Sequence, residues 1–217
     1  MRIFKYAKID FIMSKRFVLF MLLFPILAFI IVLKDTDSTP LFASIYCLFI
    51  GIILSSSPRM SQHQTESGFS KMLPSKSGED VKGHFLFAFC LLLFSLLLSW
   101  IIIGVAALLR PQLDFGPFHY YVLVLGAALV FSGIENLIYY LIPTDYAPQT
   151  ANLLRLLPGM LFFFGGIFFA DSLPNIVLWF VTWINPLRSY ILFFLSAIIF
   201  LIFMEIAVVR NNSRDAL

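Results

Sequence analysis

Apolar residues fall along this chain in long blocks separated by short polar intervals. Residues 17–33, 41–57, 85–109, 119–142, 156–170 and 187–209 are rich in Leu, Ile, Phe and Val and nearly free of charge. A helix crosses a hydrocarbon core about 30 Å thick with about 20 apolar residues. The pattern therefore predicts an all-α integral membrane protein, a single transmembrane domain over residues 1–217 with six transmembrane helices.

The flanking segments add detail. Residues 1–16 carry Arg2, Lys5, Lys8, Lys15 and Arg16, with Ile3, Phe4, Ala7, Phe11 and Ile12 at helical spacing. This reads as a basic amphipathic helix lying in the membrane interface; the plainer alternative is a positive flank anchoring the first span. The Ile-Val-Leu-Lys-Asp that ends the first run is a poor cleavage site, so the run is expected to stay as a span, with Pro25 in its middle. Gly51 and Ser55 in the second run form a small-xxx-small pair that lets helices approach. Between residues 143 and 155, Thr144 can cap and Pro148 suits a first helical turn. Leu153, Leu154 and Leu157 make an apolar stripe, read as the start of the fifth span or a lesser partner contact. Near the end, apolar residues continue from 176 to 209, too far for one helix, and Asn185-Pro186 breaks them. Residues 176–184, with Trp179 and Trp183, are too short to span and read as a re-entrant or interfacial helix.

Charge gives the orientation. With six spans both termini share a side, and that side holds twelve basic residues against three, Lys34, Arg110 and Arg188, on the other. Basic residues collect on the cytoplasmic side. Both termini and the 58–84 loop are therefore expected in the cytoplasm, with the protein multi-pass in a bacterial cytoplasmic membrane. Composition agrees: 60% of residues are apolar, 12% are charged, 26 are Phe, and mean hydropathy is +0.94. That excludes a disordered chain, a disulfide scaffold and a secreted enzyme.

Candidate chemistry is sparse. Cys47 and Cys90 both lie in apolar runs and fit neither a disulfide framework nor a zinc spacing. His63, His84 and His119 stand at loop edges, with no H-E-x-x-H and no nucleophile–base pair. No catalytic or metal set is legible, and no nucleic-acid partner is expected. Within the spans, Glu135 followed by Asn136 is the exception, since an ionisable residue in a span is a functional candidate by default. It reads either as a polar site in a pathway, or as a helix–helix hydrogen bond or a carboxyl within reach of the cytoplasmic interface.

The 58–84 loop is more informative. Phe69, Met72 and Leu73 share one helical face, and Pro74 stops that helix. A second amphipathic run begins at Gly78 and leads into the third span. A short helix with an apolar knob is what docking into a partner's groove requires, although it could equally be a solvated connector lying on the membrane.

The stretch from Leu73 to Gly83 resembles the loop of ABC-2 type transporter permeases, which typically reads Leu-Pro-Val-Ser/Thr-Arg-Lys-Glu-Ile-Val-x-Gly. Leu73, Pro74, Glu79, Val81 and Gly83 match, and an acidic residue upstream, Glu66, fits. The usual Arg-Lys is Ser77-Gly78 here, with Lys76 one place early. The resemblance implies a coupling helix, carried by Glu66, Phe69, Met72, Leu73 and Pro74, that rests on an ABC ATPase. It also implies that residues 1–16 are an elbow helix. No G-x-x-x-x-G-K-[ST] is present. Under this resemblance ATP and Mg belong to a separate ATPase chain, this chain carries no cofactor, and a second permease copy or a related permease completes the path. The Phe- and Leu-rich spans suit an amphipathic or hydrophobic cargo, such as a peptide, a lipid-linked glycan or a drug. The alternatives are a stand-alone secondary carrier, an intramembrane enzyme, and a non-transporting accessory or immunity protein.

Overall fold

The computed structural model describes residues 2–21, 30, 40–55, 78–110, 117–142, 146–168 and 183–215. They form six α-helices: α1 (Arg2–Met21), α2 (Pro40–Ser55), α3 (Glu79–Leu109), α4 (Phe118–Leu141), α5 (Ala147–Phe168) and α6 (Pro186–Asp215). Helices α3 and α4 and most of α6 are each long and apolar enough to cross a membrane. With 31 residues, α3 is about 46 Å long, more than a bilayer core needs. The apolar helix of α2 is shorter.

Local chemistry places the helix ends. Gly78 takes a left-handed conformation (φ 84°) that only glycine adopts freely, and α3 begins at the next residue. Glu79 and Asp80 then occupy the first turn, where carboxylates complement the helix dipole. Asn185 caps α6: its Oδ1 accepts the backbone N–H of Arg188 at 2.8 Å, and Pro186 fills the first helical position. The break expected at Asn185-Pro186 is thus a capped helix start.

Elsewhere helix extends beyond the apolar runs. Helix α1 runs unbroken through residues 16 and 17, where the interfacial helix was expected to give way to the first span. Residues 79–84, assigned from sequence to the polar loop, are the first turns of α3. Residues 147–155, placed ahead of the fifth apolar run but with Pro148 expected in a first helical turn, are the first turns of α5. In each case polar residues occupy the first turns of a helix whose apolar part follows, so hydropathy alone places the boundary late.

Helix α4 packs most extensively against α6, α2 packs against α3 and α4, α1 lies along the start of α3, and α5 rests on α4. Gly126 and Gly133, seven residues apart, face α6 beside Ser196 and Phe203. A heptad spacing of small residues keeps two nearly parallel helices close over several turns. The core between α2, α3, α4 and α6 is built on Leu48, Phe85, Leu92, Ile103, Leu129 and Phe200. The Phe85 and Phe200 rings meet edge to face with centroids 5.3 Å apart.

The outward faces are as apolar as the core. Leu97, Ile101 and Leu108 on α3, and Ile191, Phe194 and Ile198 on α6, are exposed. Surface of this extent is unfavourable in water and natural in lipid. The protein is an all-α membrane protein.

Candidate functional site

Polar groups gather at one end of the bundle, the end where α2 stops and α3 starts. Gly78 lies against α6: a Cβ built on it would stand 2.6 Å from Val208 Cγ1. One turn on, Lys82 Nζ pairs with Glu205 Oε1 of α6 at 2.9 Å. The last residue of α2 is fixed at the same end, where the Ser55 and Ser132 hydroxyls of α2 and α4 share a hydrogen bond of 3.0 Å. The chain between residues 56 and 77 therefore leaves from one anchored point and returns to another. Glu66, Phe69, Met72, Leu73 and Pro74, expected to couple to an ATPase, lie outside the described residues, as does most of 176–184.

The first turns of α3 carry a second set of contacts, to α1. His84 Nδ1 and Asp10 Oδ2 form a buried hydrogen bond between the two helices. Gly83 makes this approach possible. A Cβ on it would stand 2.4 Å from Tyr6 Cβ and 3.1 Å from the Ile3 carbonyl oxygen, so α1 lies directly on the α3 backbone. This divides the apolar residues of α1. Ile3 and Ala7 turn partly toward α3, whereas Phe4, Phe11 and Ile12 are exposed beside Lys5 and Lys8. The sequence pattern placed all five apolar residues on one lipid face; burying Asp10 against His84 rotates the helix so that only part of that stripe faces outward.

A third set joins α4 to α5. Glu135 is fully buried, and Arg155 reaches it with both Nε, at 2.7 Å, and Nη2 on Oε1. Arg155 Nη1 also donates to Asn152 Oδ1 at 3.0 Å, which holds the guanidinium in place. Ala151 and Ala147, one and two turns earlier, let α5 sit closely on Tyr139. Asn136 donates from Nδ2 to the Ser132 carbonyl oxygen at 2.9 Å, within its own helix.

Of the residues singled out from sequence, Glu135 and Asn136 are thus placed together, one bridging helices and one bonded locally. Sequence reasoning missed Arg155 as a partner, because it stood outside the apolar runs, twenty residues away on another helix. It also missed Asp10, Lys82, His84 and Glu205 as interhelical pairs. The signal available for them was charge next to an apolar run on the same side of the membrane, which says which residues can meet and not which do.

Among the described residues there is no cluster of His, Cys, Asp and Glu able to hold a metal ion. The site consists of ion pairs and hydrogen bonds that lock α1 and α6 to the start of α3, and α5 to the end of α4.

No curated protein and no solved structure matches the chain. A family model described as "ABC-2 family transporter protein" matches residues 8–209, which include the Lys82–Glu205, Asp10–His84 and Glu135–Arg155 pairs. The chain belongs to the ABC-2 family of transporter proteins, as a membrane permease of the ABC type.

Proposed function

We propose that this chain is the six-span permease subunit of an ATP-driven exporter in the bacterial cytoplasmic membrane, with both termini in the cytoplasm. A separate P-loop ATPase binds ATP and Mg, and a second copy or a related permease completes the transport path. The observation that carries this reading is family membership over residues 8–209 in a chain without a phosphate-binding loop. The coupling residues are Glu66, Phe69, Met72, Leu73 and Pro74, on a cytoplasmic helix that docks into the ATPase, and residues 1–16 form the elbow helix. The cargo is amphipathic or hydrophobic, in keeping with spans nearly free of charge.

The geometry supports the coupling role from the flanks. A push on the 56–77 segment acts on Gly78, which bears on α6 through Val208, and on the next turn, which is tied to α6 through Lys82 and to α1 through His84. The ATPase biases an inward–outward equilibrium of the helices, and this junction distributes that bias.

Recovery of the tagged chain from native membranes in mild detergent tests the reading. A stoichiometric P-loop ATPase among the co-purified proteins is the expected result. Recovery of the chain alone, under conditions where known complexes survive, refutes it. Phe69→Asp is expected to leave insertion intact and separate hydrolysis from transport; continued transport would remove the coupling helix from this position.

A further inference from the structure

A groove of about 670 Å³ runs along the C-terminal half of α6, beside the end of α4. Its apolar lining comes from Leu141, Ile198, Leu201, Ile202, Ile206 and Val209. From Ile198 to Val209 is about 16 Å along the helix. That is the thickness of one leaflet's hydrocarbon, about 15 Å. Of the polar lining residues, Arg210 and Ser213 lie beyond Val209, whereas Glu205 lies within the stripe, between Ile202 and Ile206. The Glu205 carboxylate is already paired with Lys82. Among the described residues, the exposed Arg210 side chain pairs with no carboxylate, so its charge is available at the mouth of the groove.

The α6 surface also argues against another helix as occupant. Small residues are what allow helices to approach in a membrane. On α6, Ser189 and Ala207 are buried, Ser196 sits against Gly126 of α4, and only Ser213, past the apolar stripe, lines the groove. The outward face presents large side chains such as Phe194, Leu195, Ile198 and Ile202. A flexible acyl chain fits between such side chains better than a rigid helix does.

We infer that the groove is a binding site for a phospholipid with an anionic headgroup, its acyl chains along the Ile198–Val209 stripe and its phosphate at Arg210. The positive charge of Arg210 at the mouth of this apolar groove complements an anionic phosphate, at about 1 kcal/mol per basic residue near the surface. The inference concerns the leaflet at the α6 C-terminus and stands apart from the ATPase partnership proposed above.

Native mass spectrometry of the full chain in detergent, titrated with phosphatidylglycerol and phosphatidylcholine of matched chains, tests it. The expected result is one saturable lipid with a preference of about fivefold for phosphatidylglycerol, the contribution of one basic residue near the surface. Arg210→Gln is expected to abolish that preference and Arg210→Lys to keep it; the side chain is exposed, so neither change threatens the fold. Ile202→Trp, which fills the groove, is expected to lower occupancy by both lipids. Equal binding of the two lipids by the unaltered chain overturns the inference, as does an undiminished preference in Arg210→Gln. So does an Ile202→Trp chain that keeps both lipids but loses a dimer, since a second copy then occupies the face.

Discussion

Removing Arg155 should cost far more than neutralising its partner. Glu135 is fully buried and receives two N–H groups of Arg155 on one oxygen. Arg155→Met strands that carboxylate in the bundle. Breaking a buried pair from one side costs about 3–5 kcal/mol, because the remaining charge has lost its compensation. At about 2–4 °C per kcal/mol for a chain of this size, the melting temperature should fall by roughly 10 °C. Glu135→Gln leaves a carbonyl that still accepts from Arg155, and the arginine side chain, 12% exposed, can reach outward. Its cost should be about 1 kcal/mol, or roughly 3 °C. The double variant Glu135→Gln/Arg155→Met removes both charges and should regain at least half of the loss. The assay is thermal unfolding of the purified chain in mild detergent, followed by tryptophan fluorescence. An Arg155→Met variant as stable as Glu135→Gln, or a double variant no better than Arg155→Met, would refute the reasoning. Transport measured alongside separates the two readings of Glu135: complete loss of export in a Glu135→Gln chain of nearly normal stability would make it a pathway residue.

The α1–α3 junction yields further tests. Gly83→Leu should displace α1, since even a Cβ there stands 2.4 Å from Tyr6 Cβ; hydrogen exchange should rise in α1 and stay unchanged in α4. Asp10→Asn should loosen the same helix and be detected by faster proteolysis near the N-terminus, because His84 loses its charged partner. Gly104→Ala is the matching control: nothing lies within 4 Å of its Cβ position, and the gain in helix propensity should stabilise by about 0.5–1 kcal/mol in the same unfolding assay. Ser132→Ala removes the hydroxyl link to Ser55 and should cost only about 0.6 kcal/mol, as single interhelical hydrogen bonds in membranes do.

The apolar parts of α3, α4 and α6 were legible because a membrane span must be both long and apolar. The α6 start was legible because Asn before Pro at a helix N-terminus has a mechanism. The first turns of α3 and α5 gave helical signals, an amphipathic run from Gly78 and a Pro148 suited to a first turn, but their polar residues placed the spans themselves several residues later. The resemblance of residues 73–83 to an ABC-2 permease loop pointed to the family that the match over residues 8–209 establishes. Glu135 stood out as an ionisable group inside a span, yet its partner did not. Arg155 lies on another helix, and only the approach of α5 at Ala147 and Ala151 brings it within reach.

What the sequence by itself determined is the solvent. Sixty per cent apolar residues arranged in blocks leave lipid as the only environment in which this surface is stable, and lipid requires every spanning backbone to satisfy itself as helix. What only the tertiary structure decided is which polar side chains meet. Lipid gives helices no hydrophobic reason to choose one neighbour over another, so the choice falls to small residues that permit contact and charges that reward it. Gly83 admits α1, after which Asp10 finds His84; Gly126 and Gly133 admit α6, whose Glu205 pairs with Lys82. Those pairings depend on helix rotation and register, which a one-dimensional pattern of apolar and polar positions does not contain.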